Sequence, residues 1–117
     1  SPALRQGRLG QGLACRFETY RSAQETLESC HTQLDAVMAH YDVLLTASAA
    51  GEAPVGLQST GDASFCALWT ATHVPALTLP VFTGPHGLPV GAQLIGRRHA
   101  DSALFVTAQW VWRQLTS

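Results

Sequence analysis

Two apolar runs, Ala76-Leu77-Thr78-Leu79-Pro80-Val81 and Leu88-Pro89-Val90-Gly91-Ala92-Gln93-Leu94-Ile95-Gly96, flank a stretch dense in turn residues, Thr83-Gly84-Pro85-His86-Gly87. Alternation on either side of such a turn predicts antiparallel strands, Leu77–Val81 and Leu88–Ile95, joined across Gly84–Gly87. Pro80 has no amide hydrogen to give a ladder and belongs at a sheet edge or strand end. Gly91 marks a bulge or a close approach of another backbone. A lone hairpin is marginal in water, so the rest of the chain has to cover at least one of its faces.

The flanking sequence supplies candidates for that cover. From Glu18, the positions Tyr20, Ala23, Leu27, Cys30, Leu34, Val37, Met38 and Tyr41 recur at steps of three and four. They fall on one face of a helix roughly 35 Å long. The seam lasts only about three heptads, which favours a helix lying across a domain over a coiled coil. Tyr41-Asp42-Val43-Leu44-Leu45-Thr46 then reads as a short buried strand. Ala47 to Gly61, with Gly51, Pro54 and Gly56, reads as a loop of the size that is functional or packed on another element. Asp62 is placed to cap a helix with Phe65, Leu68, Trp69 and Thr72 inward, and Pro75 limits it. Asp101 caps a last helix with Leu104, Phe105, Ala108, Val111, Trp112 and Leu115 inward and Trp110 off the stripe. Ser1 to Ala14 reads as a loop or a short frayed helix. The order is helix, strand, helix, hairpin, helix, an α/β arrangement.

Composition limits how such a piece lives in water. The 117 residues fit a single unit, 1–117, yet only 13% are charged and 46% are hydrophobic. An ordinary globular domain is about 25% charged. A small domain has much surface to keep wet, so its faces are expected to be covered by another chain, by another part of a parent, or by a second copy. All seven basic residues are Arg, and eight carboxylates bring the net charge to −1. No footprint for nucleic acid results. No run approaches the ~18 apolar residues of a membrane span, and no Arg-rich presequence opens the chain. A cytoplasmic setting is expected. The start at Ser1 reads as a processed or excised product.

The residues show no catalytic group on their own. Cys15, Cys30 and Cys66 form no CxxC and are expected to be reduced and buried. His31 and His40 point to opposite sides of the helix, and His73, His86 and His99 sit beside loops without HxxxH or HxH spacing. No metal and no cofactor is expected. Cys66 could pair formally with His73, but mid-helix between Phe65 and Leu68 it reads as an inert core thiol. GxSxG, GxGxxG and Walker spacings all fail. Trp69, Trp110 and Trp112 read as core or interface residues.

A succession of segments goes further: Asp42-Val43-Leu44-Leu45-Thr46, Ala53-Pro54, Pro75-Ala76-Leu77-Thr78-Leu79-Pro80, then Gly87-Leu88-Pro89-Val90-Gly91-Ala92-Gln93-Leu94-Ile95-Gly96, then Asp101 opening a helix. It resembles the C-terminal end of the amidase signature family. Ser1-Pro2-Ala3-Leu4-Arg5 and Tyr20-Arg21-Ser22-Ala23 are similar to the family's run into that region, so the likeness covers essentially the whole chain. The family's Pro after the first strand's Thr is missing, since Ala47-Ser48 follows Thr46. The resemblance implies a C-terminal segment of a mixed-sheet fold, the closing edge of a large sheet wrapped by helices. It implies amide or ureide hydrolysis, or ammonia release, by a Ser–cis-Ser–Lys arrangement.

The chain contains no Lys, so no catalytic residue is carried over to it. In the amidotransferase branch, the helix before the PAxxLP motif carries an Asp that holds an α-amino group. The corresponding position here is Ala67, with Trp69 in place of an aromatic and Thr70 beside it. Ala67, Trp69 and Thr70 are the substrate-binding residues the resemblance implies, for a small amide or ureide without that anchor. Three readings stand open. The chain closes the sheet and pocket of a parent amidase whose N-terminal part is its partner, and is inactive alone. It is a non-catalytic interaction or scaffold subunit of the same fold. Or it is an independent hydrolase using Cys66 or a Ser/His pair.

Overall fold

The computed structural model describes residues 7–117, so Ser1–Gln6 and the readings that fall on them lie outside the described residues. The described residues fall into two compact units, the first ending at Thr32 and the second spanning Gln33–Ser117. The first holds α1 (Arg8–Leu13) and most of α2 (Phe17–Met38). Glu18 lies in the first turn of α2, where a carboxylate faces the positive end of the helix dipole. Arg16–Glu18 at 2.9 Å and Arg21–Glu25 at 3.2 Å are exposed pairs that contribute little.

α2 stops short of the predicted Tyr41. The His40 amide bonds Val37 O at 3.1 Å and the Tyr41 amide bonds Met38 O at 3.4 Å, so the last turn tightens to i→i+3 spacing. The expected apolar stripe is covered mainly toward its C-terminal end. Met38 is buried and Leu27, Cys30 and Leu34 are half-buried, while Tyr20, Val37 and Tyr41 stay exposed. The Arg97 Nε donates to Met38 O at 2.9 Å and supplies the cation that a helix C-terminus favours.

The second unit is built on three strands, β1 (Leu44–Ala47), β2 (Ala76–Thr83) and β3 (Pro89–Ile95), with α3 (Ser64–Ala71) and α4 (Asp101–Leu115). β3 lies between β1 and β2 and pairs antiparallel with both. The predicted hairpin is therefore present, with Leu77 opposite Leu94 and Leu79 opposite Ala92. Its register slips between Leu79 and Phe82, so Pro80 sits at an irregularity on an edge strand. Gly91 faces that irregularity. A Cβ there would meet Thr78 Cγ2 at 2.3 Å, which accounts for the absence of a side chain.

Alternation divides the sheet. Leu79 and Leu94 share one face and pack with Leu104 and Ala108 of α4, and Val43, Leu77, Val81 and Val111 flank them. Burying each such leucine contributes about 1.5–3 kcal/mol. Gln93 and Ile95 point to the opposite face, where both are buried.

Two helix expectations need correction. Asp101 is the first residue of α4, not its cap; Ala100 occupies the N-cap and offers no side-chain acceptor. Asp101 still places its carboxylate in the first turn. Phe105, Trp112 and Leu115 are exposed, because the sheet underlies only the narrow stripe through Leu104, Ala108 and Val111. In α3, Phe65 and Trp69 are half-buried and Thr72 is buried, but Leu68 is 50% exposed.

Candidate functional site

α3 begins where Asp62 organises the chain. Its Oδ1 accepts the Ser64 amide at 2.9 Å, and Ser64 Oγ donates to Oδ2 at 3.0 Å. Asp62 thus acts one residue before the N-cap, Ala63, rather than as the cap itself. The helix ends with the Val74 amide on Trp69 O and the His73 amide on Thr70 O, both at 3.3 Å. That crossed pair needs a left-handed residue, and His73 adopts φ 53 where glycine is usual.

Ala67 and Thr70 are exposed and Trp69 is half-buried. At about 100° per residue, Ala67 and Trp69 lie roughly 160° apart around α3, with Thr70 between them. α3 alone does not bring the three onto one wall.

Cys66 is exposed, not in the core as its apolar neighbours suggested. Its Sγ donates to Ser48 O at 3.7 Å and receives Gln93 Nε2 at 3.8 Å. Gln93 is 5% exposed, and its Oε1 is buried without a hydrogen-bond partner. Ser48 is turned to the strand, with its Oγ and its amide on Gly91 O at 2.9 and 3.2 Å. No nucleophile–base pair results from Cys66, Ser48 and Gln93. Sequence reasoning passed over Ser48 and Gln93. The one polar side chain within Ala92-Gln93-Leu94-Ile95 was the available signal. Cys15 is also exposed, Cys30 is half-buried, and the three thiols are free.

The Ser48–Ala63 loop meets the hairpin turn at Glu52. Glu52 Oε1 accepts the amides of His86 and Leu88 at 2.9 and 3.0 Å, and Oε2 lies 2.7 Å from His86 Nδ1. Desolvation pushes the Glu52 carboxyl up. The imidazole and the two amides outweigh it and hold the group below the usual carboxylate value. Glu52 and Asp62 line a cavity of about 420 Å³ walled by Ala49–Pro54, Thr60, Gly61 and Pro89. A second cavity of about 660 Å³ lies between His40–Val43 and the Val106, Thr107, Trp110 and Val111 side of α4. Ala67, Trp69 and Thr70 line neither.

Among the described residues no three His, Cys, Asp or Glu side chains converge as metal ligands would, and no helix is long and apolar enough to cross a membrane.

The family model described as Amidase matches residues 4–105. A mitochondrial glutamyl-tRNA(Gln) amidotransferase subunit from Mus musculus is 33% identical over 91 residues, which is 70% of this chain and 17% of the relative. Its counterparts in Homo sapiens and Macaca fascicularis are each 34% identical over 83 residues, 63% of this chain and 16% of theirs. The chain thus spans about a sixth of the length of these relatives.

Proposed function

The chain belongs to the amidase family, and we propose that it is the C-terminal segment of an amide- or ureide-hydrolysing enzyme. In this reading residues 1–117 act as one segment that closes the enzyme's sheet and substrate pocket. The observation that carries it is the family match through β1, the hairpin and the start of α4, in a chain that has no lysine. Amide hydrolysis requires a nucleophile, a base tuned near neutral pH and oxyanion donors in one pocket. Ser48 and Cys66 give their side-chain hydrogens to backbone carbonyls, Gly91 O and Ser48 O, and not to a base. The nucleophile and base come from the N-terminal part of the parent, which is the partner.

Ala67, Trp69 and Thr70 line the pocket together with that partner. The exposure of Ala67 and Thr70 supports this, because it leaves both side chains open to a second body. The relatives are named as subunits of a glutamyl-tRNA(Gln) amidotransferase. Ala67 offers no carboxylate for an α-amino group, so the substrate here is a small amide or ureide without one. A cytoplasmic setting is part of the same proposal, and cell fractionation tests it.

The experiment is reconstitution. The purified chain is assayed for ammonia release alone and after mixing with the N-terminal portion of its parent. No turnover alone and turnover in the mixture is the expected result. Turnover by the chain alone, insensitive to serine-directed phosphonates, sinks the reading. Binding without turnover favours the alternative of a non-catalytic scaffold subunit, which the exposed Phe105, Val106 and Trp110 of α4 also fit.

A further inference from the structure

The Ser48–Ala63 loop carries no helix or strand of its own. Its Glu52 side chain is 9% exposed, although it is not part of the core cluster of Leu79, Leu94, Leu104 and Ala108. The carboxylate sits over Gly84, where a Cβ would come within 2.4 Å of Glu52 Cγ, Cδ and Oε1. The turn has its own bonds, Gly84 amide to Leu88 O at 2.9 Å and Gly87 amide to Gly84 O at 3.1 Å. Glu52 takes up two more turn amides, those of His86 and Leu88.

We propose that Glu52 is a proton-operated clasp, closed as a carboxylate on the 84–88 turn and opened when protonated, which frees the loop and one wall of the 420 Å³ cavity. The chemistry of each oxygen assigns the switch. A charged acceptor makes hydrogen bonds roughly twice as strong as a neutral one, so protonation weakens both amide bonds to Oε1. Imidazole Nδ1 donates to Oε2 both as the imidazolium and as the neutral Nδ1–H tautomer. A protonated carboxyl has no charge to attract an Nδ1–H donor, so the Oε2 contact weakens together with the two amide bonds. The carboxyl is therefore the switch, and the imidazole is not. The titratable groups facing it are His86 from the turn and Asp62 across the cavity, and the Asp62 oxygens are already occupied by Ser64.

Amide hydrogen exchange of the whole chain, followed by NMR, tests the clasp. Protection of the His86 and Leu88 amides, relative to Leu94 in the core strand, should hold near neutral pH and be progressively lost as the pH is lowered below the ordinary carboxylate value and through the lower folded value. In Glu52→Gln combined with His86→Ala, the side-chain carbonyl keeps both amide bonds with neither a titrating carboxyl nor an imidazole opposite its NH2 group, and the ratio should stay constant. In Gly84→Ala, whose Cβ takes the carboxylate's seat, protection should be low at both pH values. A constant ratio in the unaltered chain overturns the proposal. So does an equal fall in the Glu52→Gln, His86→Ala double variant, or full protection in Gly84→Ala.

Discussion

Ser48 and Gly91, 43 positions apart, are joined twice, because the Gly91 carbonyl accepts both the Ser48 amide and the Ser48 hydroxyl. The bond fastens the end of β1 to β3 where β2 is irregular. Gly91 permits it by carrying no side chain, since a Cβ would stand 2.3 Å from Thr78 Cγ2 and 2.7 Å from Ser48 Oγ.

Gly91→Ala is therefore expected to cost about 1–3 kcal/mol, the range for overpacking a tight site. Thr78→Ser removes the Cγ2 and should recover part of that loss in the double variant. Urea titration of the four forms measures it, and an unshifted midpoint in Gly91→Ala would contradict the close approach.

Arg97→Leu removes the donor from Met38 O and from Tyr41 O, 2.9 and 3.5 Å away. The expected loss is about 1 kcal/mol, reduced by the exposure of Arg97 to solvent. Thermal unfolding followed by circular dichroism is the check, with Arg97→Lys recovering only part because the planar fork is lost.

Cys66 and Cys15 should react with a soluble disulfide reagent much faster than half-buried Cys30. Peptide mapping after brief labelling reads the order. Fast labelling of Cys66 bears on its exposure and not on catalysis, so it should leave the chain without amide turnover.

The pH dependence of stability follows from the depressed Glu52 pKa. A carboxyl held below its unfolded value stabilises the fold above that value. This stabilisation is lost as pH falls through the lower, folded value. The melting temperature of the unaltered chain should therefore drop more steeply in acid than that of Glu52→Gln. Parallel curves for the two would remove Glu52 from the account.

The outer face of α4 should drive self-association. Phe105, Val106 and Trp110 are 62%, 71% and 63% exposed on a chain with few charges, and large apolar patches are uncommon on isolated monomers. Light scattering should show mass rising with concentration, and Trp110→Asp should move it toward the monomer.

The hairpin was legible because alternation and a Gly/Pro turn are local signals, and both strands fell within two residues of their predicted ends. β1 was legible as a strand, but its place beside β3 was not, since pairing across the long loop leaves no periodic mark. The inward faces expected of α2 and α4 took in too many residues. Periodicity reports which face is apolar, not how much of it finds cover, and Tyr20, Phe105 and Leu115 stay in water. Cys66 was read as buried for the same reason. Glu52 escaped notice because its partners lie 34 and 36 positions away, a distance at which no spacing rule operates. Family resemblance reached Ala67, Trp69 and Thr70, and the helix geometry then divided them.

The strand order has a consequence for the timing of assembly. β3 is the last strand in the chain, yet every ladder bond in the sheet has it as one partner. During synthesis β1 and β2 emerge as two unpaired ribbons with no bonds to offer each other. The sheet cannot form one strand at a time. It waits for Pro89–Ile95 and then closes on both sides of that strand, so a ribosome stalled before residue 89 would hold an open, association-prone chain.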